Sequence, residues 1–178
     1  INDLQLQQNT SEAVKTITYE DLASYKVQKR NPVCRKYKSW KVCSFPPPSG
    51  GGVAVLQALG TYEFLSKKDW SKGTVNNWHL LAESLRFADA DRSHWIGDPI
   101  DWPVPIKGLL EDDYIKKRAN TIKLRTATFR PLPGEPKGSK FLNLASQPRT
   151  AGGGTSHIVV VDMDGNVASY TSSVETVF

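Results

Sequence analysis

Gly152-Gly153-Gly154-Thr155-Ser156-His157-Ile158-Val159-Val160-Val161 is the stretch on which the reading of this chain turns. A pliable glycine run feeds straight into a β-branched strand, with Thr155 at the joint. Asp162 to Asn166 reads as a turn, and Val167-Ala168-Ser169-Tyr170-Thr171 returns, so the spacing predicts a β-hairpin over 157–171. A threonine at the head of a strand behind a glycine hinge suits an N-terminal nucleophile. That chemistry needs two events. The Thr155 hydroxyl first attacks the Gly154 carbonyl in an N-to-O acyl shift, and water then cleaves the ester. Glycines permit the strained backbone such an attack requires. An α-amine freed in this way ordinarily titrates at about 7.7–8.0, and it serves as general base for its own hydroxyl. An ordinary loop-to-strand transition uses the same residues, so the spacing alone leaves both readings open.

Upstream, residues 125–154 are rich in turn formers (Pro131, Pro133, Gly134, Pro136, Gly138) and read as an exposed, mobile segment. Glu111 to Ile122 reads as a helix, acidic in its first turn and basic later, as the helix dipole prefers. A longer helix runs from near Thr74 to about Asp91, with Trp78, Leu81, Ala82, Leu85 and Ala88 as its buried stripe. Gly97-Asp98-Pro99, Pro103 and Pro105 mark an irregular crossing between these two helices. Val53 to Leu65 predicts a third helix. Before it, Pro46-Pro47-Pro48-Ser49-Gly50-Gly51-Gly52 is an abrupt break. Glycines ahead of a helix can bind an anion. The G-K-[ST] of a phosphate loop is missing, however, and a tight strand-to-helix turn explains the run. Residues 1–24 read as helix or loop, with a capping signal in Thr18-Tyr19-Glu20-Asp21.

Cys34 and Cys43 flank a basic segment. With Lys38-Ser39 as a two-residue turn, the pairs are Tyr37/Trp40, Lys36/Lys41, Arg35/Val42 and Cys34/Cys43. This puts the cysteines at a non-hydrogen-bonded pair, where a disulfide is feasible and would imply an exported protein. Two free thiols in a reducing compartment are the alternative. Residues 26–41 hold seven basic side chains and no acidic one, interleaved with Tyr37 and Trp40. That is the best nucleic-acid feature in the chain, against a plain solvated hairpin face.

No metal or cofactor site is expected. His79 and Glu83 lie one helical turn apart without a second His to complete a metalloprotease motif. Asp89, Asp91 and His94 read as a solvated helix end. Asp162-Met163-Asp164-Gly165-Asn166 places its Gly too early for a calcium loop and lacks the closing Glu. The 178 residues, 39% hydrophobic and 23% charged, suggest one domain and exclude collagen, coiled coil and wholesale disorder. No apolar run is long enough to span a membrane. A net charge of +5 says mildly basic and nothing sharper. The Ile1-Asn2-Asp3 start carries no initiator Met, so a signal has been removed or the chain begins inside a longer one.

Several spaced motifs together resemble the γ-glutamyltranspeptidase family of N-terminal-nucleophile hydrolases over about residues 18–178. They are Glu20-Asp21-Leu22-Ala23-Ser24-Tyr25, Pro46 to Gly52 followed by Val53-Ala54-Val55-Leu56-Gln57, and His79-Leu80-Leu81-Ala82-Glu83. Ala90-Asp91-Arg92, Gly97-Asp98-Pro99, Gly154-Thr155-Ser156-His157, Asp164-Gly165-Asn166 and Thr176-Val177-Phe178 follow in the family's order. The resemblance implies a four-layer αββα sandwich, only partly represented here, and self-cleavage between Gly154 and Thr155. Residues 1–154 would then end a large subunit and residues 155–178 begin a small one, as parts of one structural domain.

It further implies a zymogen whose mature form moves a γ-glutamyl group from glutathione or related amides to water or an amino-acid or dipeptide acceptor. Thr155 matches the nucleophile. Ser173 falls where the family usually has a Thr that hydrogen-bonds the nucleophile's amine. Glu175 falls where many members have an Asn that contacts the donor's α-amino group, and a carboxylate accepts from an ammonium more strongly than an amide does. Glu175 also keeps open a related amidase acting on poly-γ-glutamate or cephalosporin side chains. The two cysteines resemble the exported bacterial branch, which implies the disulfide and a periplasmic or secreted setting. Other site elements of the family fall outside Ile1–Phe178, so this segment alone is expected to be inactive without the remainder of both subunits. A nonenzymatic module binding nucleic acid through 26–41 is the competing class.

Overall fold

The computed structural model describes residues 18–66, 73–139 and 155–173. Thr18 opens α1 (Tyr19–Ser24) with a reciprocal cap: its hydroxyl accepts the Asp21 amide at 3.1 Å, and the Asp21 carboxylate accepts the Thr18 amide at 2.8 Å. The Thr18 amide and then the Thr18 hydroxyl, both donating to the Asp21 carboxylate, hold it below the usual carboxylate range. The basic segment then forms a two-stranded antiparallel hairpin, β1 (Val33–Tyr37) with β2 (Trp40–Ser44). Cys34 faces Cys43 and Lys36 faces Lys41. The two cysteines form a disulfide with their Cα atoms 4.1 Å apart. Lys38 turns the corner at φ 54°, a conformation that few side-chain-bearing residues adopt.

Helix α2 (Gly50–Ser66) begins inside the glycine run rather than after it. Close packing explains why. A Cβ on Gly52 would lie 1.9 Å from the Phe45 carbonyl oxygen, so the first helical turn presses on the end of β2. Further along the helix, the Arg35 guanidinium lies over Gly60, where a Cβ would come within 2.6 Å of Nε.

Helix α3 (Val75–Trp95) is capped by Thr74, whose hydroxyl accepts the Asn77 amide at 3.3 Å. It buries a face rotated from the one the sequence suggests, the two sharing Ala88. Leu80, Glu83, Ser84, Phe87, Ala88, Asp91 and Trp95 point inward, while Trp78 is 63% and Leu85 49% exposed. The apolar count favoured the wrong side because the true inner face carries two carboxylates whose partners come from distant segments. The helix expected over 111–122 forms over 112–120, and a short helix that the sequence does not suggest precedes it. Glu111 is extended (ψ 136°) and separates α4 (Ile106–Leu110), which the sequence reading missed, from α5 (Asp112–Asn120).

Two apolar clusters hold the helices together. Leu65, Leu80, Phe87, Ala119 and Ile122 form one, and Val53, Trp95, Leu109 and Tyr114 the other, with Val33 of β1 packed against the second. Burial of such side chains contributes about 1.5–3 kcal/mol each. Residues 125–139, expected to be mobile, are instead a strap fixed across the inner end of α3. The Thr128 amide donates to Glu83 at 3.0 Å, the Gly134 amide to Asp91 at 2.8 Å, and Trp95 Nε1 to the Gly134 carbonyl at 2.9 Å. Pro136 and Ser139 are buried. Residues 140–154 lie outside the described residues.

Beyond them, β3 (Thr155–Val161) and β4 (Val167–Ser173) form a second two-stranded hairpin. Gly165 (φ +81°) makes its turn. Asp162 closes the turn by accepting from Asn166 Nδ2 at 2.8 Å and from the Asn166 and Asp164 amides at 2.8 and 3.0 Å, and these bonds hold its carboxyl below the usual range. A hairpin is therefore the use of this acidic turn. Every residue of both strands is exposed among the described residues, including Ile158, Val159, Val160 and Tyr170. No described helix is long and apolar enough to cross a membrane.

Candidate active site

Strand alternation decides which side chains Thr155 can meet. Thr155, His157, Val159 and Val161 share one face, and the register sets Ser173, Thr171, Ser169 and Val167 opposite them in turn. The first pair is in contact: Thr155 Oγ1 lies 2.8 Å from Ser173 Oγ. One pair along, His157 Nδ1 is 2.7 Å from Thr171 Oγ1, and Nε2 is 3.4 Å from Ser169 Oγ. The result is a ladder of four hydroxyls and one imidazole on a single sheet face, beginning at the strand's first residue. Such a face can hold a hydroxyl nucleophile in a fixed rotamer and relay its proton, since each hydroxyl is both donor and acceptor.

Thr155 and Ser173 are thus brought together. Gly154 and Glu175 lie outside the described residues. His157 joins Thr155 and Ser173 on the same face, a position that period-2 alternation from Thr155 signals in the sequence. The other titratable groups are used elsewhere. His79 Nε2 is 2.9 Å from the Lys123 carbonyl. Glu83, buried in α3, is paired with Arg86 as well as with Thr128. Burial pushes its carboxyl up, but the Thr128 hydrogen bonds and the Arg86 charge outweigh this and leave it below the usual range.

Asp91 is no solvated helix end. At 1% exposure it accepts from Gln57 Nε2 at 3.0 Å, the Tyr114 hydroxyl at 2.8 Å and the Gly134 amide at 2.8 Å, and it pairs with Arg118 at 3.1 Å. Burial, then the neighbouring Asp91 charge, raises the Tyr114 hydroxyl well above its ordinary value. Both Asp91 oxygens are already filled by protein donors, which gives the carboxylate a structural use, while Gln57 Oε1 has no partner among the described residues. In the basic segment, two of the seven cations are neutralised: Arg30 by Asp98 at 3.4 Å and Arg35 by Asp112 at 2.7 Å.

Comparison with known proteins gives one answer. Residues 4–178 match the family described as gamma-glutamyltranspeptidase. The chain is 34% identical over 168 residues to a glutathione hydrolase proenzyme of Bacillus subtilis (strain 168), covering 92% of this chain and 29% of that protein. Among solved structures, the gamma-glutamyltranspeptidase of Helicobacter pylori is 36% identical with a TM-score of 0.62, over 73% of this chain and 37% of that one. A cephalosporin acylase from Bacillus halodurans is 27% identical with a TM-score of 0.68, over 88% of this chain and 25% of that one. These neighbours have the N-terminal-nucleophile hydrolase fold, and the chain, which spans less than a third of the length of the curated relative, holds part of it. The chain belongs to the gamma-glutamyltranspeptidase family.

Proposed function

We propose that this chain is the nucleophile-bearing part of a γ-glutamyl transferase/hydrolase that matures by cleaving itself between Gly154 and Thr155. The observation that carries this reading is the Thr155–Ser173 hydroxyl pair at the head of the hairpin, 2.8 Å apart. In maturation, Thr155 Oγ1 adds to the Gly154 carbonyl carbon, the Gly154–Thr155 C–N bond breaks, and the nitrogen leaves as the α-amine of Thr155. Water then hydrolyses the resulting ester, leaving residues 1–154 in a large subunit and 155–178 in a small one. Ser173 Oγ steers the attacking hydroxyl and afterwards supports the freed amine.

In turnover, that amine takes the proton from Thr155 Oγ1 as the oxygen attacks the γ-carbonyl of glutathione or a related amide. The leaving amine receives the proton, a γ-glutamyl ester forms on Thr155, and water or the amine of an amino acid or dipeptide releases it. Glu175 accepts from the donor's α-ammonium. The reaction calls for no metal or other cofactor. Exposed apolar side chains occur on both faces of the hairpin, Val159, Val161 and Val167 beyond the hydroxyl ladder on one and Ile158, Val160 and Tyr170 on the other, which fits strands buried between layers by the remainder of the two subunits. The disulfide supports a periplasmic or secreted location.

Intact mass of the full-length protein tests the reading. The wild type yields a fragment beginning at Thr155, and Thr155→Ala does not; a wild type that never yields it refutes the assignment. The similarity to a cephalosporin acylase favours a second reading, an amidase on cephalosporin side chains, and Glu175 one on poly-γ-glutamate. Relative rates of p-nitroaniline release from a γ-glutamyl anilide and hydrolysis of those two substrates separate the three.

A further inference from the structure

One face of the first hairpin sets a disulfide beside a pair of lysines. Strand alternation puts Cys34 and Lys36 on one face of β1, and the register sets Cys43 and Lys41 opposite them. The other face meets the helices: Val33 packs against the cluster around Trp95, and Arg35 lies over Gly60. The Cys34–Cys43 bond therefore lies on the opposite face of the hairpin from Val33 and Arg35. Cys43, Lys36 and Lys41 are exposed, and Cys34 is half-buried. Like charges directly across a hairpin are unfavourable. Neither ammonium of this pair has a partner among the described residues. The nearby carboxylates are engaged elsewhere, Asp112 with Arg35 and Glu63 with the Lys38 amide. Cys43 also lines a 330 Å³ concavity with Arg30, Phe45 and Pro46, and Cys34 one of 570 Å³ against α2 and α5, where Lys36, Lys38 and Lys116 stand with Glu63 and Asp112.

We propose that Cys34–Cys43 is a reversible exchange site for small anionic thiols, recruited and activated by Lys36 and Lys41. The incoming thiolate attacks Sγ of the exposed Cys43. The Sγ–Sγ bond breaks, a mixed disulfide forms on Cys43, and Cys34 leaves as a thiolate beside the Lys36 ammonium, two residues along its own strand and face. A second thiolate attacks the outer sulfur of the mixed disulfide, releasing the oxidised small disulfide and the Cys43 thiolate. The two electrons that reduce the protein disulfide come from these two thiols. Cationic neighbours stabilise a leaving thiolate and so speed exchange. Same-face neighbours on a strand are roughly 7 Å apart. At that distance, in water, one charge changes the rate roughly threefold and two roughly tenfold. About 1 M salt, with a screening length of about 3 Å, removes the effect.

The test uses native full-length protein and three thiols: 2-mercaptoethanesulfonate (anionic), 2-mercaptoethanol (neutral) and cysteamine (cationic). Each rate is divided by that thiol's rate with bis(2-hydroxyethyl) disulfide, and products are read by alkylation, intact mass and peptide mapping. We expect the anionic thiol to lead the neutral one by about tenfold at low salt and the cationic one to trail it. The order should collapse in 1 M salt and in the Lys36→Gln/Lys41→Gln variant, with the adduct on Cys43. Equal normalised rates for the three thiols, opening only in denaturant, or an adduct solely on Cys34 overturns the proposal. None of the three probes is a γ-glutamyl compound, so the outcome is independent of the function proposed for Thr155.

Discussion

Replacing Asp91 by Asn changes one oxygen for an amide and nothing in size, which makes it a direct probe of the buried cluster. Both carboxylate oxygens accept two donors, Oδ1 from the Gly134 amide and Arg118, Oδ2 from Gln57 and the Tyr114 hydroxyl. Whichever oxygen becomes NH2, a donor then faces a donor. Turning the amide nitrogen toward Tyr114 is the least harmful choice, since that hydroxyl can rotate to accept. Gln57 cannot flip to help without giving up its other bond, to the Leu109 carbonyl at 3.0 Å. Arg118, its side chain 11% exposed, loses its counter-ion in every arrangement. Breaking one partner of a buried pair costs about 3–5 kcal/mol. With a urea slope of about 2 kcal/mol/M, the unfolding midpoint falls by roughly 2 M. The assay is urea unfolding of the full-length protein followed by tryptophan fluorescence, because buried Trp95 bonds to the same strap residue, Gly134. Asp113→Asn, at an exposed pair with Lys116, is the control and is expected to move the midpoint by less than about 1 kcal/mol equivalent. Adding Arg118→Met to Asp91→Asn should recover part of the loss, since no charge is then left unpaired. If Asp91→Asn behaves like the control, the cluster does not hold the strap and the reasoning fails.

Adjacent glycines in α2 should respond in opposite directions. A Cβ on Gly51 meets only Ser49 Oγ at 3.9 Å, so Gly51→Ala should stabilise by about 0.5–1 kcal/mol in thermal unfolding, whereas Gly52→Ala, aimed at the Phe45 carbonyl, should leave little soluble protein. Ser173→Ala should slow appearance of the fragment beginning at Thr155 by about threefold to tenfold, the worth of one hydrogen bond, and Ser173→Thr should restore it; an unchanged time course would separate the hydroxyl pair from processing. Glu83 has its folded value held below the unfolded one of about 4.3, so the stability it contributes is present above that pH and is lost as pH falls through the folded value. Acid titration between about pH 5 and 3 should therefore cost the wild type more stability than Glu83→Gln, and parallel curves would count against the assignment.

Local signals carried much of the fold. Thr18 and Thr74 marked helix starts because a cap is written in adjacent residues, and the hairpin pairings followed from turn position and period-2 alternation. The failures share a cause. Asp91 and Glu83 look like surface residues until a strap about forty residues downstream brings them amide donors. For the same reason, the inward face of α3 was hidden behind a stripe that scored better on apolarity. Within the candidate site, Thr155 was legible from its place behind the glycine hinge and Ser173 only through the family resemblance, and the strand register sets the two opposite each other. His157 needed only the alternation rule. The bond that Lys36 and Lys41 flank was legible as a pairing, but the face it takes relative to the helices was not, because that depends on Arg35 choosing Gly60 and Asp112.

The strap carries a consequence for the order of assembly. Its acceptors are separated from its donors by 45 residues for Glu83–Thr128 and 43 for Asp91–Gly134, so each closure spends chain entropy before any contact returns it. The Asp91 acceptor is also composite: α2 supplies Gln57 and α5 supplies Tyr114 and Arg118, which together fix the carboxylate that the Gly134 amide meets. A docking surface made from three helices does not exist until they have packed. The expected order of folding for this part of the chain is therefore helices first and strap second.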